Sequence, residues 1–216
     1  MQSTKTQSGF TLVEIAVVLV IIGLLLGGIL KGQELIENSR IKSAANDINA
    51  IRAAYTGYID RYRQLPGDDP GAVAGRGPSW TGMTAGNGDG RIDTGTVNAL
   101  DQMTEPEQIG FFRHLRAAGF LSGNPATTGT AALPRNPWGG LINIVNANNQ
   151  GRPSARLQVC LGNVPGKAAV ALDTALDDGR PNNGTLRATA GADNAPPTSA
   201  AGTYNEGQTY TVCVDM

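Results

Sequence analysis

The sequence predicts an α+β fold, a long amino-terminal helix followed by a small antiparallel sheet. Three observations predict it. An apolar block fills positions 10–30, proline is absent from there to Tyr62 while apolar residues recur at helical steps, and short β-branched runs between turn residues follow Phe120. A chain of 216 residues suits one ordinary domain plus an appendage. Seventeen basic side chains against eighteen acidic ones give no reason to expect nucleic acid or an anionic surface as the main partner. Glycine at 29 and proline at 12, with aromatics at 5%, describe many turns around a modest core.

The first element is the most specific. Residues 1–9, MQSTKTQSG, are polar, and the chain turns apolar at Phe10 and stays so to Leu30. As a helix this block spans about 31 Å, the hydrocarbon thickness of a bilayer. An ordinary signal peptide places its small-residue cleavage site after the apolar stretch, but no A-x-A boundary follows Leu30. Ser8 and Gly9 precede the stretch, so cleavage there leaves a membrane helix on the mature chain. Glu14 interrupts the block, at a cost of about 2.5–3.5 kcal/mol at a bilayer centre and less near the interface. One reading has it snorkel to the headgroups near the helix start. The preferred reading has it neutralise a cation in an assembly of such helices, with the amino group of a neighbour's Phe10 as partner.

Gly9-Phe10-Thr11-Leu12-Val13-Glu14 followed by IAVVLVIIGLL resembles the prepilin signature of type IV pilins and type II secretion pseudopilins. The resemblance covers about the first forty residues and implies a pilin fold. It implies that a membrane-embedded prepilin peptidase cuts after Gly9 and methylates Phe10. It further implies that Glu14 pairs with the amino terminus of an adjacent subunit during assembly. Many type IV pilins carry a proline near the end of the membrane block; Gly27, Gly28 and Gly32 stand here instead, read as supplying local flexibility.

Residues 31–65 continue the helix in amphipathic form. Ile41, Ala45, Ile48, Tyr55, Tyr58 and Tyr62 recur at three- and four-residue steps, widened by Ile51 and Ile59, and the charged residues opposite read as a solvated face. Leu65-Pro66-Gly67 predicts the stop. Residues 67–104 read as a long connection rich in glycine and aspartate. Within it, Asn87-Gly88-Asp89-Gly90-Arg91-Ile92-Asp93 resembles the middle of an EF-hand calcium loop, which makes Asn87, Asp89 and Asp93 candidate calcium ligands. Ala85 and Thr96 depart from that pattern at its first and last ligand positions, and a plain turn is the alternative. A second helix is predicted from Thr104 as cap, Pro106 in the first turn, Glu107 closing a capping box and Gly119 as stop. His114, the one histidine, sits between Arg113 and Arg116 without a carboxylate or thiol nearby in sequence, and reads as a surface helix residue.

Leu141–Val145, Leu157–Leu161 and Thr209–Val214 are the predicted strands. The turn Asn136-Pro137-Trp138-Gly139-Gly140 resembles the one before the sheet in major pseudopilins. Pro165–Leu176 reads as a short helix leading to a second carboxylate cluster, Asp173, Asp177 and Asp178, for which capping and turn formation are weighed against cation binding. Cys160 and Cys213 fall in two predicted strands. In the oxidising compartment that the membrane helix implies, an even pair is most simply a disulfide, closing a loop of about fifty residues worth about 4 kcal/mol. Many type IV pilins close a similar carboxy-terminal loop. Residues 178–207 read as its exposed region, and Asn183-Gly184-Thr185 matches a glycosylation sequon given little weight in a bacterial protein.

Residues 1–9 are thus expected as leader, 10–30 as transmembrane and assembly helix, 31–65 as its amphipathic continuation, and 66–216 as a head with a disulfide-closed region 160–213. No reaction is expected of the chain. The reading is a structural subunit of a type IV pilus-like filament, whose partners are copies of itself, other pilins, the peptidase, an inner-membrane assembly platform and the membrane. The precursor would sit in the inner membrane with its head in the periplasm before joining a filament in the periplasm or at the surface. A type II secretion pseudopilin is the alternative, and a membrane-tethered periplasmic binding module or enzyme a third reading that has no use for Glu14.

Overall fold

The structure is a computed structural model that describes residues 11–94, 100–101 and 106–216. Elements run α1 (Leu12–Tyr62), α2 (Pro106–Ala117), β1 (Ile142–Ala147), β2 (Arg156–Pro165), α3 (Gly166–Leu176), β3 (Leu186–Ala190) and β4 (Thr209–Asp215), with short 3-10 turns between α1 and α2 and before β1. The chain divides into two compact units, Met1–Ser39 and Arg40–Met216. In the first, α1 runs unbroken through Gly27 and Gly28 to Gly32, and every side chain from Thr11 to Lys31 is exposed. Its most apolar eighteen-residue window has a mean hydropathy of 2.8, so by length and composition this helix can cross a membrane.

In the second unit α1 is one-sided. Ala44, Ile48, Ile51, Ala54 and Tyr58 are buried and join Phe111, Phe112 and Leu115 of α2 and the inner face of the sheet in one apolar cluster. The helix stops at Tyr62, three residues before the predicted Leu65. Pro66 excludes helix at Leu65, and the chain leaves by Arg63, which takes a left-handed φ of 57° while its N–H donates to Ile59 O at 2.8 Å. Gly119 ends α2 as predicted, with φ 81°: Phe120 N donates to Leu115 O at 2.9 Å and Gly119 N to Arg116 O at 3.0 Å, a Schellman closure.

The sheet order is β1-β2-β4-β3, antiparallel throughout. Register follows the two-residue period: Val159 pairs Val214 and Leu161 pairs Val212 on the core face, while Cys160 pairs Cys213 on the other. Most of the edge donors are taken. The outward N–H groups of β1 donate to Pro134 O, Asn143 Oδ1 and Thr94 Oγ1, and those of Leu186 and Ala188 in β3 to Asp177 Oδ2 and Pro181 O. Little free ladder is left there for strand addition by another chain.

Two expectations need correction, on residues 178–207 and on His114. Residues 178–207 are not an exposed region throughout, because they contain β3, whose Leu186 and Ala188 are fully buried against β4. The long connection after α1 packs inward, with Asp68, Asp69 and Ala72 fully buried and Trp80 and Ile92 reaching the core. His114 is not on the surface. It is fully buried, its ring beside Tyr58 and Trp80, because α2 is enclosed on nearly every side and its arginines reach outward to backbone carbonyls.

Candidate assembly site

The first turn of α1 is built by Thr11 and Glu14. Thr11 Oγ1 accepts from Glu14 N at 3.3 Å, while Glu14 Oε2 accepts from Thr11 N at 2.8 Å and from Thr11 Oγ1 at 2.9 Å. This is a reciprocal capping box, and the signal for it was present as Thr-x-x-Glu in Thr11-Leu12-Val13-Glu14. It gives Glu14 a local role that the sequence reading missed. The carboxylate is exposed, with no cation partner among the described residues, and it stands beside Leu12 and Val13, which are 91% and 71% exposed. Gly9 and Phe10 lie outside the described residues. The site therefore combines an accessible carboxylate at a helix start with a long lipid-ready surface that no group among the described residues covers.

Residues 4–30 match the prokaryotic N-terminal methylation motif. This motif is the prepilin-type signature of type IV pilins and pseudopilins, and it supports a pilin-like or pseudopilin subunit made as a membrane-anchored precursor. It implies processing by a prepilin peptidase and oligomerisation into filaments. The match spans the apolar helix and leaves the head to be read from its own geometry. No curated protein matches the chain.

The other candidate residues fall into separate places. Cys160 and Cys213 form a disulfide across β2 and β4, 53 residues apart in sequence. It lies on the outer sheet face with Leu100 and Val145, beside a buried polar strap: Arg152 donates to Asp215 Oδ1 at 2.8 Å, to Cys213 O at 3.1 Å and to Gln150 Oε1 at 2.8 Å.

Loop 87–93 is held by carboxylates from outside it. The buried Asp68 accepts from the N–H groups of Gly88, Asp89 and Gly90 at 2.6, 3.2 and 2.8 Å. Glu107 accepts from Asn87 N at 3.1 Å and Asp93 N at 2.9 Å, and its predicted capping partner Thr104 lies outside the described residues. Burial raises the Glu107 carboxyl above its usual range against those two hydrogen bonds. Asn87 Oδ1 and Asp89 Oδ1 accept amides two residues on, at 2.8 and 2.9 Å. These contacts are those of a tied turn.

Asp173, Asp177 and Asp178 bring ligand-capable oxygens within 4.8 Å of one another, yet each also serves the fold. Asp173 accepts from Gly179 N and Tyr204 OH, Asp177 from Leu186 N, and Asp178 from Arg180 N and Asn183 Nδ2.

His114 Nδ1 accepts from Gly67 N and Nε2 lies 2.9 Å from Thr84 O, so the neutral ring has both nitrogens engaged by backbone. Burial pushes its pKa down to about 4. It is a clasp between α2 and the loop, not a positioned base.

Proposed function

We propose that this chain is a structural subunit of a type IV pilus-like filament. In this reading it is cut after Gly9, methylated on Phe10 and assembled through α1. The observation that carries the reading is the methylation motif on a helix whose only carboxylate within the apolar block, Glu14, is exposed at the first turn. In a bilayer that carboxylate is costly until a cation meets it, and the amino group of a neighbour's Phe10 is such a cation. The sheet edges support the same route, since most of their outward N–H groups are already taken within the chain, which favours self-association through helix packing and head surfaces.

The test separates capping from assembly. Thr11→Ala removes the capping box and leaves the carboxylate, whereas Glu14→Ala removes both. If Glu14 pairs between subunits, sheared filaments persist in the first variant and vanish in the second, with the precursor still processed. Equal loss in both would reduce Glu14 to a cap.

A second reading, a pseudopilin of a type II secretion system, is favoured by the Asn136–Gly140 turn. Asn136 Oδ1 accepts from Trp138 N and Gly140 N, its Nδ2 donates to Gly162 O, and a Cβ at Gly140 would collide with that carbonyl. The turn thereby seats the start of the sheet, as the resembling turn of major pseudopilins precedes theirs. Calcium on Asn87, Asp89 and Asp93 belongs to this reading. Neighbouring genes separate the two, since a secretion operon and a pilus operon hold different companions.

A further inference from the structure

The chain contains two Asn-Gly pairs, Asn87-Gly88 and Asn183-Gly184. Exposure does not distinguish them, because all four residues are exposed, and neither does backbone conformation, since Gly88 and Gly184 have φ of 76° and 68°. Their hydrogen bonds do. The Gly88 N–H donates to the buried Asp68 carboxylate at 2.6 Å, while Asn87 is tied at both ends, its N–H to Glu107 and its side-chain oxygen to Asp89 N. The Gly184 N–H meets no acceptor among the described residues. The Asn183 carboxamide is held by its nitrogen alone, donating to Asp178 Oδ2 at 2.7 Å, which leaves its carbonyl side open.

We propose that Asn183 is a self-modifying position, whereas Asn87 is protected by Asp68. The Gly184 backbone nitrogen loses its proton to hydroxide and attacks Asn183 Cγ. A C–N bond forms, the bond to the side-chain nitrogen breaks and ammonia leaves. Water then opens the cyclic imide at either carbonyl, giving aspartate or isoaspartate, with no other reactant. At Gly88 the same attack must first break the hydrogen bond that its N–H donates to the buried Asp68 carboxylate and leave that acceptor unsatisfied.

The product has a defined neighbourhood. Conversion replaces the donor on Asp178 Oδ2 by a carboxylate and sets a fourth acid beside Asp173, Asp177 and Asp178. The turn loosened by this repulsion is the one whose Asp177 holds Leu186 N at the start of β3. A long-lived copy therefore acquires negative charge at one place on its head. This proposal does not depend on the filament reading.

The test is peptide mapping of the purified full chain after incubation at alkaline pH, native and in urea, with aspartate and isoaspartate products separated. In urea both pairs convert at similar rates. In the native chain Asn183 converts near its urea rate, while Asn87 is slowed at least about tenfold, the factor one charge-assisted hydrogen bond imposes on local opening. Asn183→Gln, which disfavours the five-membered ring, removes the acidic product and leaves the fold intact. The proposal is overturned if native Asn183 is as slow as Asn87, if Asn87 keeps its urea rate, or if the acidic product survives in Asn183→Gln.

Discussion

Replacing His114 with glutamine is expected to remove the histidine's share of the acid sensitivity of the head between about pH 4 and 6.5. The ring is neutral in the folded chain because it is buried and because Nδ1 must accept from Gly67 N. Asp69 draws its pKa up and Arg113 and Arg76 push it down, but burial dominates and sets it at about 4, against 6.5 when unfolded. Between those values the unfolded chain binds one more proton than the folded one, so stability rises with pH across the window. It is complete above the unfolded value and lost progressively toward the folded one. The full difference is about 3 kcal/mol, with a slope of up to about 1.4 kcal/mol per pH unit. The assay is urea denaturation of the full chain in detergent at several pH values, followed by tryptophan fluorescence, since Trp80 lies 6.0 Å from the His114 ring. His114 is the one histidine, so it is the one side chain whose ordinary pKa falls in this window, while the carboxyls that burial raises, Glu107 and Asp173, act with the opposite sign and are common to both proteins. Wild type should lose more stability on acidification through the window than the variant, which starts lower at neutral pH, and the difference between the two slopes is the contribution of His114. Equal slopes would refute the clasp.

Three further outcomes follow from the packing. Cys160→Ala with Cys213→Ala should cost about 4 kcal/mol by the chain-entropy account, read as a lower urea midpoint; an unchanged midpoint would mean the strap around Arg152 already holds those strands. Leu186→Ala should cost about 2–5 kcal/mol and the nearby exposed Thr198→Ala almost nothing, so similar effects would remove β3 from the core. Because Asp68 already satisfies the amides of residues 88–90, a chelator should leave their hydrogen-exchange protection unchanged, and a loss would show that an ion orders the loop.

What the sequence made legible is what periodicity encodes. The apolar block, the one-sided continuation of α1, and β1, β2 and β4 stand out because burial on one face repeats at a fixed step. The stripe takes in Ala45, which is half-buried, and leaves out the buried Ala44 and Ala54, because an alanine fits either side of an apolar stripe and marks its phase only weakly. β3 was missed for the same reason. Leu-Arg-Ala-Thr-Ala alternates as a half-buried strand should, but only Leu186 is large. His114 was misread because Arg113 and Arg116 look like a solvated face. Their guanidinium groups instead reach carbonyls at Gly82, Pro125 and Ala132, which lets α2 be enclosed while carrying charge. The carboxylates that hold loop 87–93 come from Asp68 and Glu107, about twenty residues away on either side. Only the fold brings such partners together.

The central claim concerns the amino terminus, and mass spectrometry of the protein from cells with and without the prepilin peptidase tests it most directly. The account predicts a mature chain that begins at a methylated Phe10 only where the peptidase is present, and an uncut chain elsewhere. A chain that keeps Met1 in both strains, or one cut beyond Leu30, would contradict it and leave the apolar helix as an anchor or an export signal.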